Sequence, residues 1–210
     1  MSKPFYLHNT MIAAMMLMTG GAAHAGLSFV VTDTATRTEA FNIAGFATLP
    51  IGSAVSLGHL DYTGPGAQTV TYTYLGQESG FIDKFYNTLS GAKLLESNAV
   101  GTSISSVVST AGPLSFKFEG DTGKFAINGG HWDKGTSIGL IGTNMLIGST
   151  TYAYVLGYND SAGTKHLGDW DDFVVGVNFT PSVPEPASLA LLGLGLAGLG
   201  FVRRRKAVQR

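Results

Sequence analysis

Apolar and polar residues alternate along four segments between residues 26 and 180, and this period of two predicts strands with one buried face. The apolar sets are Val70, Tyr72 and Tyr74; Leu114, Phe116 and Phe118; Tyr152, Tyr154, Leu156 and Tyr158; and Phe173, Val175, Val177 and Phe179. Further strands are predicted at residues 27–32, 41–47, 103–109, 124–128 and 137–141, whereas residues 82–95 are expected to hold a short helical turn. About nine short strands without a βαβ rhythm predict an all-β fold, an antiparallel β-sandwich, over residues 26–180.

The predicted β domain is acidic and contains no cysteine. Residues 26–183 hold seven Lys and Arg against thirteen Asp and Glu, a net charge of −6 that the whole-chain value of −1 conceals. A negative surface disfavours nucleic acids and anionic lipids as partners and is compatible with divalent cations. Because cysteine is absent, disulfides and thiolate chemistry are excluded, and stability must come from an ordinary hydrophobic core.

The N-terminal segment has the order of a secretory signal peptide. Lys3 and His8 precede an apolar run from Met11 to Met18, and small residues then end in Ala23-His24-Ala25. Such an Ala-x-Ala pattern predicts that signal peptidase removes residues 1–25 after export through the Sec translocon, with Ala23 and Ala25 as the cleavage site. The alternative is a buried N-terminal helix, which a short apolar run ending at a cleavage pattern disfavours.

The C-terminal segment, residues 181–210, has three parts. Residues 183–186 read Val-Pro-Glu-Pro, residues 187–202 form an apolar run, and the basic cluster Arg203, Arg204, Arg205 and Lys206 follows. As a helix the apolar run would be about 24 Å long, which spans a bilayer with local thinning. The basic cluster then acts as a stop-transfer signal and predicts a cytoplasmic C-terminus. The prolines predict extended backbone at the outer membrane surface; alternatively, they only end the domain that precedes an ordinary tail anchor.

These three parts in this order resemble the PEP-CTERM sorting signal of Gram-negative bacteria. The resemblance implies that Pro184, Glu185 and Pro186 are the recognition element for an exosortase, a multispanning inner-membrane enzyme that cleaves the segment. It also implies release or transfer of the processed protein to the cell surface or to the exopolysaccharide matrix of a biofilm. The chain is then an exosortase substrate, which the inner membrane holds only until processing.

Two internal segments carry a second resemblance. Residues 72–81 are similar to a "strand, Leu-Gly, Glu-Ala-Gly-aromatic" stretch that is common in exported PEP-CTERM proteins. Residues 169–175 read Asp-Trp-Asp-Asp-Phe-Val-Val and resemble the Asp-Phe-Asn-Asp-Leu-Val-Val ending of a bacterial surface domain of unknown function. That domain usually has a further Asp at the position of Leu167 and a Glu-Asp pair at that of Asn159-Asp160, so this chain has fewer carboxylates.

Polar side chains cluster in sequence before the last predicted strand, at Asn159, Asp160, Asp169, Asp171 and Asp172. Ca²⁺ takes about six to eight oxygen ligands, and Asp169 and Asp171 can point the same way because they are two residues apart. If the strand begins early, Asp172 lies on the opposite face. Asp160, Asp169, Asp171 and Asp172 are therefore the candidate calcium ligands. Two alternatives stay open: Asx hydrogen bonds that cap the strand, and the carboxylate pair of a hydrolase.

Two tryptophans are candidates for stacking on sugar rings. Trp132 follows Gly129-Gly130-His131, and Trp170 lies within the acidic cluster. Tryptophan combines an apolar ring with a polar N–H, so each residue can serve a core or a glycan site. For Trp132 the favoured interpretation is a turn in which the indole ring fills the space beneath the backbone. For Trp170 the favoured interpretation is burial in the core.

The sequence thus predicts a non-enzymatic, exported protein with a structural or adhesive role at the cell surface or in the exopolysaccharide matrix. Two other functions stay open. One is a calcium-dependent carbohydrate-binding module that uses Trp132 or Trp170, and the other is a polysaccharide hydrolase that uses Asp169 or Asp172. The predicted partners are signal peptidase, the Sec translocon, the inner membrane, an exosortase and exopolysaccharide, with no nucleic acid.

Overall fold

The computed structural model describes residues 26–39, 41, 43, 50–64, 66–160 and 167–181. The predicted signal peptide, the segment from residue 182 onward and most of the predicted strand at 41–47 lie outside these residues. The described part contains thirteen strands and no α-helix. Within it, no helix is long and apolar enough to cross a membrane.

The thirteen strands form two sheets. In chain order they are β1 (Leu27–Arg37), β2 (Ala54–Tyr62), β3 (Gln68–Gly76), β4 (Lys84–Asn87), β5 (Lys93–Leu95), β6 (Ser103–Val108), β7 (Gly112–Pro113), β8 (Phe116–Glu119), β9 (Phe125–Ile127), β10 (Ser137–Ile147), β11 (Thr150–Asn159), β12 (Leu167–Gly168) and β13 (Phe173–Pro181). The large sheet has the order β12-β1-β2-β10-β11-β13-β3-β6, with β7 beside β2, and the small sheet has the order β5-β4-β8-β9. Apart from the parallel pair of β1 and β12, the described strands pair antiparallel.

The predicted all-β, antiparallel class is confirmed, but the helical turn expected in residues 82–95 is wrong. β4 and β5 form a hairpin there. Asn87 Oδ1 accepts hydrogen bonds from the backbone N–H groups of Leu89 and Ser90, each at 3.1 Å, and so satisfies the turn. Gly91 closes the turn with a φ of +75°, a conformation that glycine adopts without strain.

Aromatic side chains fill the space between the two sheets. Phe85 and Phe118 of the small sheet lie against Tyr72 and Tyr158 of the large one, with ring centroids 4.8 Å apart for Tyr72 and Phe85. Phe118 and Tyr158 stack at 5.2 Å with an interplanar angle of 6°. Such pairs contribute about 0.5–1.5 kcal/mol each beyond the area that they bury. The apolar faces predicted for β3, β8 and β13 are confirmed by this core.

Tyr152 departs from the face predicted for it. Tyr154, Leu156 and Tyr158 contact the main core, whereas Tyr152 packs with Val155 and Val174 in a second cluster. The register shift between Leu140 and Gly142 makes Ile141 an extra residue of β10, and after it Met145 and Ile147 of β10 pack against the same second cluster as Tyr152. Gly176 leaves room for the Tyr152 ring, since a Cβ at Gly176 would lie 2.4 Å from a ring carbon.

Candidate functional site

Trp170 anchors the acidic segment that connects β12 to β13. Its indole is fully buried, and its Nε1 donates a 2.9 Å hydrogen bond to Ser137 Oγ. The backbone at Trp170 has a φ of +62°, which is rare for a bulky residue and turns the chain sharply. The core interpretation of Trp170 is therefore confirmed. Its predicted role in stacking on a sugar is wrong, because the ring has no exposed face.

Asp169 and Asp171 lie on the same side of the turn at Trp170. One carboxylate oxygen from each, with one from Glu78, lie within 4.8 Å of one another. The N–H of Glu78 donates to the carbonyl of Asp171 at 2.9 Å and holds this trio together. Beside it, Arg37 is 1% exposed and stacks over Phe41 at 4.9 Å. Burial lowers the pKa of Arg37, and the negative charges of Asp171 and Asp169 oppose that shift.

A second trio consists of Asp83, Asp160 and Asp172. The backbone N–H of Asp160 donates to Asp172 Oδ2 at 2.8 Å, and Ser79 Oγ donates to Asp160 Oδ2 at 2.9 Å. Burial raises the pKa of Asp83 well above its usual range, and the charge of Asp160 adds to that shift. Burial, and then the charge of Asp160, raise the pKa of Asp172 to about 9. The trio thus concentrates carboxylates where ionisation is costly.

Two residues of each trio, Glu78 and Asp169 of the first and Asp160 and Asp172 of the second, line one open pocket with a volume of about 200 Å³. The lining includes five acidic residues, Glu39, Glu78, Asp160, Asp169 and Asp172, together with Thr38, Ser79, Gly80, Phe81, Asn159 and Gly168. Among the described residues no Lys, Arg or His lines it. A pocket walled by carboxylate, hydroxyl and amide oxygens has the ligand chemistry that Ca²⁺ prefers.

The structure thus brings together the four carboxylates predicted from sequence, and it divides them between two groups. Asp169 and Asp171 point the same way, as their spacing predicts, while Asp172 joins Asp160. Sequence reasoning missed two residues of the segment between β3 and β4: Glu78, which lines the pocket, and Asp83, whose carboxyl group interacts with Asp160. One pattern pointed to Asp83: it directly follows the apolar pair Phe81-Ile82, and Phe85 lies two residues after it, beyond Lys84. Calcium binding itself stays a prediction.

Trp132 lies at a separate place, next to the small sheet. Its Nε1 donates to the carbonyl of Ile127 at 3.0 Å, and the ring is half-buried against the edge of the core. A pocket of about 280 Å³ adjoins it, lined also by Thr32, His59, Gly129 and Gly130. The ring is therefore held in place with part of its surface open, so glycan stacking by Trp132 stays a prediction.

Ser137 occupies the centre of a Gly-x-Ser-x-Gly sequence, residues 135–139, that in hydrolases marks a nucleophile on a strand-to-helix turn. Here Ser137 begins β10, is fully buried and accepts the hydrogen bond from Trp170. Its hydroxyl therefore positions the tryptophan and is not accessible to a substrate.

Over the residues that the structure describes, the fold and the pocket define an acidic, cysteine-free, all-β domain whose final strand ends at Pro181. The segment that follows is identified by comparison: residues 182–206 match the family model of the PEP-CTERM protein-sorting motif. The chain is therefore an exosortase substrate, exported and membrane-anchored as a precursor before processing. No curated protein and no solved structure matches the chain. Pro184, Glu185, Pro186 and the basic cluster all lie inside the match.

Proposed function

We propose that this protein is a structural or adhesive component of the cell surface or of the exopolysaccharide matrix. The observation that carries the proposal is the sorting motif at residues 182–206, which directs a protein to processing by an exosortase. The acidic β domain without cysteine is compatible with a hydrated extracellular setting. The role is non-enzymatic, and the domain acts after it has been released from its anchor.

The route to the surface has four steps in this proposal. The Sec translocon exports the chain, signal peptidase cleaves after Ala25, and the apolar run at 187–202 stops in the inner membrane. The basic residues Arg203 to Lys206 keep the C-terminus in the cytoplasm. The exosortase then acts on Pro184, Glu185 and Pro186 from the outer side.

Intact-mass spectrometry tests the sorting step. The protein is isolated from cells with and without the exosortase, and loss of the residues after the Pro184–Pro186 region is expected only when the enzyme is present. Replacing Glu185 by Ala should give the uncut mass in enzyme-containing cells, whereas the matched change Glu39→Ala in the β domain should not. A full-length tail in both strains contradicts the proposal.

The structural role predicts a phenotype without turnover. Deletion of the gene should change the cohesion of the biofilm, and re-expression of the processed form should restore it. Purified protein should release no product from a broad panel of polysaccharides. Hydrolysis that is lost in Asp169→Asn or Asp172→Asn would instead establish the hydrolase alternative, since these carboxylates line the acidic pocket.

Glycan binding is a second candidate function, which the position of Trp132 favours. The ring is fixed by its hydrogen bond to Ile127 and borders an open pocket with polar neighbours, an arrangement suited to a sugar face. Trp132→Ala should abolish retention on an exopolysaccharide column, while Trp132→Phe should keep part of it. Equal retention of wild type and Trp132→Ala counts against glycan binding at this pocket.

A further inference from the structure

Lysine side chains gather around one tyrosine on the small sheet. The strand register places Lys93 of β5 and Lys117 of β8 directly beside Tyr86 of β4, one on each side. Lys84 lies two residues before Tyr86 on the same strand and therefore on the same face. The Nζ atoms of Lys84, Lys93 and Lys117 lie 5.9, 5.9 and 5.0 Å from the centre of the Tyr86 ring. Three positive charges thus meet at one ring.

These lysines belong to the face of the small sheet that points away from the core. The alternate residues Phe85, Phe116 and Phe118 are buried between the two sheets. Phe125 of β9 pairs with Glu119 and adds a second ring to the outer face, and Lys117 Nζ lies 5.4 Å from its centre. We call this surface the lysine face and define it by six residues: Lys84, Tyr86, Lys93, Lys117, Glu119 and Phe125.

The lysine face carries more positive than negative charge. In the described part of the chain, the ion pairs of its lysines all involve Glu119, which Lys117 contacts and Lys84 approaches at 3.3 Å. Lys93 is exposed and forms no ion pair with any described residue. Three lysines against one glutamate leave a net charge of +2 on this face, whereas residues 26–183 together carry −6. The lysine face can therefore attract an anion.

We propose that the lysine face binds an anionic polysaccharide whose sugars carry carboxylate groups. The ammonium groups pair with the carboxylates, and the half-buried rings of Tyr86 and Phe125 offer apolar surface to the sugar rings between them. The backbones at Lys93 and Lys117 are about 10 Å apart across β4, because neighbouring strands lie about 4.8 Å apart, so a polymer lying across the strands meets both lysines. The proposed matrix role supplies the source of this ligand, and in that respect the inference rests on it.

The acidity of the rest of the domain discriminates between anionic partners. A nucleic acid or an anionic bilayer presents dense negative charge to a wide area of the protein, and the net charge of −6 opposes its approach. A single polysaccharide strand can contact the lysine face without covering the acidic surface elsewhere. Charge complementarity therefore favours the polysaccharide.

Binding of alginate, a polymer of uronic acids, to the full-length chain in mild detergent with EDTA tests the proposal. Biolayer interferometry should show saturable binding that weakens at least about tenfold between about 20 and about 300 mM NaCl, because salt screens exposed charges. Alginate whose carboxylates have been reduced to alcohols should bind at least about tenfold more weakly. Equal affinity for both polymers, or no binding at low salt, overturns the proposal. Equal competition by double-stranded DNA also contradicts it.

Charge-neutralising variants locate the site. The double change Lys93→Gln, Lys117→Gln should weaken alginate binding at least about tenfold. Lys134→Gln removes the same type of charge from an exposed turn between β9 and β10 and should change the affinity less than about twofold. If the double variant does not fold, Lys93→Glu provides the test, because Lys93 is exposed. Affinity that survives these changes but is lost in Trp132→Ala overturns the site and places the polymer at the pocket beside Trp132.

The outcome is separable from that of the sorting experiment. Absence of alginate binding, while intact-mass spectrometry still shows processing by the exosortase, rejects the lysine face as a polysaccharide site and leaves the proposed route to the surface in place. Binding by a chain that cells do not process rejects the route and supports the site.

Discussion

Gly139 and Gly157 face each other across β10 and β11, and Trp170 occupies the space above both, with its indole over Gly139 and its backbone carbonyl over Gly157. A Cβ at Gly157 would lie 2.0 Å from the carbonyl oxygen of Trp170, and one at Gly139 would lie 2.7 Å from an indole carbon. The backbone carbonyl cannot move aside as a flexible side chain could. The position of Trp170, and with it the turn that presents Asp169 and Asp171, therefore depends on two residues without side chains.

Gly157→Ala is expected to destabilise the protein by about 3 kcal/mol or more, because the new methyl group must displace the backbone at Trp170. Urea unfolding followed by tryptophan fluorescence measures the change. Gly80→Ala is the matched control, since nothing lies within 4 Å of a Cβ built there. Its effect should stay within about 0.5 kcal/mol, and equal losses in both variants would contradict the packing argument.

Through Glu119, the free energy of unfolding is expected to depend on pH in the acidic range. Its partial burial raises its pKa, but the hydrogen bond and charge of Lys117, with Lys84 at 3.3 Å, outweigh this effect and lower the pKa below 4.5. The folded state therefore favours the ionised form. The stabilisation is present above the pKa of the unfolded chain and is lost as the pH falls through the lower folded pKa.

The difference in unfolding free energy between wild type and Glu119→Gln should therefore shrink on acidification from pH 6 to pH 3, and by less than about 1 kcal/mol for a pair this exposed. Urea unfolding at several pH values measures it. In a Lys84→Met, Lys117→Met background the same difference should no longer vary with pH in this direction. A difference that grows toward acid pH would mean that the sign is wrong.

Single residues show where sequence reasoning succeeds. The common side of Asp169 and Asp171 was predicted from their spacing, although the structure produces it through the turn at Trp170 and not through the alternation of a strand. Asp83 was missed because its partner Asp160 lies far along the chain; Ser79, four residues before Asp83, bonds Asp160 across 81 positions. Contacts of that range follow from the pairing of whole strands, which no local pattern of residues contains.

At the level of elements, β2 shows why some strands escape a search for alternation. Val55 and Leu57 contact Trp170 on one side of the large sheet, whereas Leu60 and Tyr62 contact the main core on the other. Gly58 lies between these pairs, and β1 shifts its register opposite this point, between Val31 and Asp33. β2 thus has no single apolar face, because its large apolar residues lie on one side of the sheet before Gly58 and on the other side after it. β3, β8 and β13 place the predicted alternate residues against the main core on one face, and these faces were predicted correctly.

The loop after β9 fastens the small sheet to the large one through Asn128. This side chain is 4% exposed; its Oδ1 accepts the N–H of Leu60 at 2.7 Å, and its Nδ2 donates to the carbonyls of Leu60 and Leu114 at 2.8 and 2.9 Å. The side-chain oxygen of Asn128 and its amide nitrogen therefore both have buried hydrogen-bond partners. An apolar replacement would leave backbone groups buried without partners.

Asn128→Ala is expected to lower the free energy of unfolding by about 3 kcal/mol, because it removes three buried hydrogen bonds. Chemical denaturation measures the loss. Asn98→Ala serves as the control, since Asn98 Oδ1 makes one local hydrogen bond, to the N–H of Leu95 at 2.8 Å, in a half-buried turn. The control should cost about 1 kcal/mol, and an Asn128 variant as stable as the control would refute the bridging role.

For the whole molecule, the sorting address was predictable because it is linear. The Pro-Glu-Pro sequence, the apolar run and the basic cluster form a pattern that is recognised by composition and order, and the family match at residues 182–206 confirms the sorting motif. The β domain is different: its class follows from alternation, but its strand order, with β13 between β11 and β3, requires pairing across the full length of the chain. The acidic pocket forms because this strand order brings together segments that are far apart in the sequence.

Removal of residues 182–210 is expected to leave the stability of the β domain unchanged, since β13 ends at Pro181. Removal of residues 173–210 should prevent folding, because it deletes Phe173, Val175 and Val177 from the core together with the ladders on both sides of β13. Circular dichroism and thermal unfolding of the two truncated chains measure this. Marked destabilisation by the shorter deletion would show that the sorting segment belongs to the fold.

The place of β13 has a mechanical consequence. The sorting segment continues from a strand that is hydrogen bonded to β11 on one side and to β3 on the other. Tension applied through a processed C-terminus thus enters the interior of the large sheet, where residues 174–181 pair with β3 and residues 173–177 pair also with β11. Extraction of β13 must break both ladders, whereas an edge strand peels away from one. A domain that is attached through the end of β13 therefore resists unfolding when a force acts on its C-terminus.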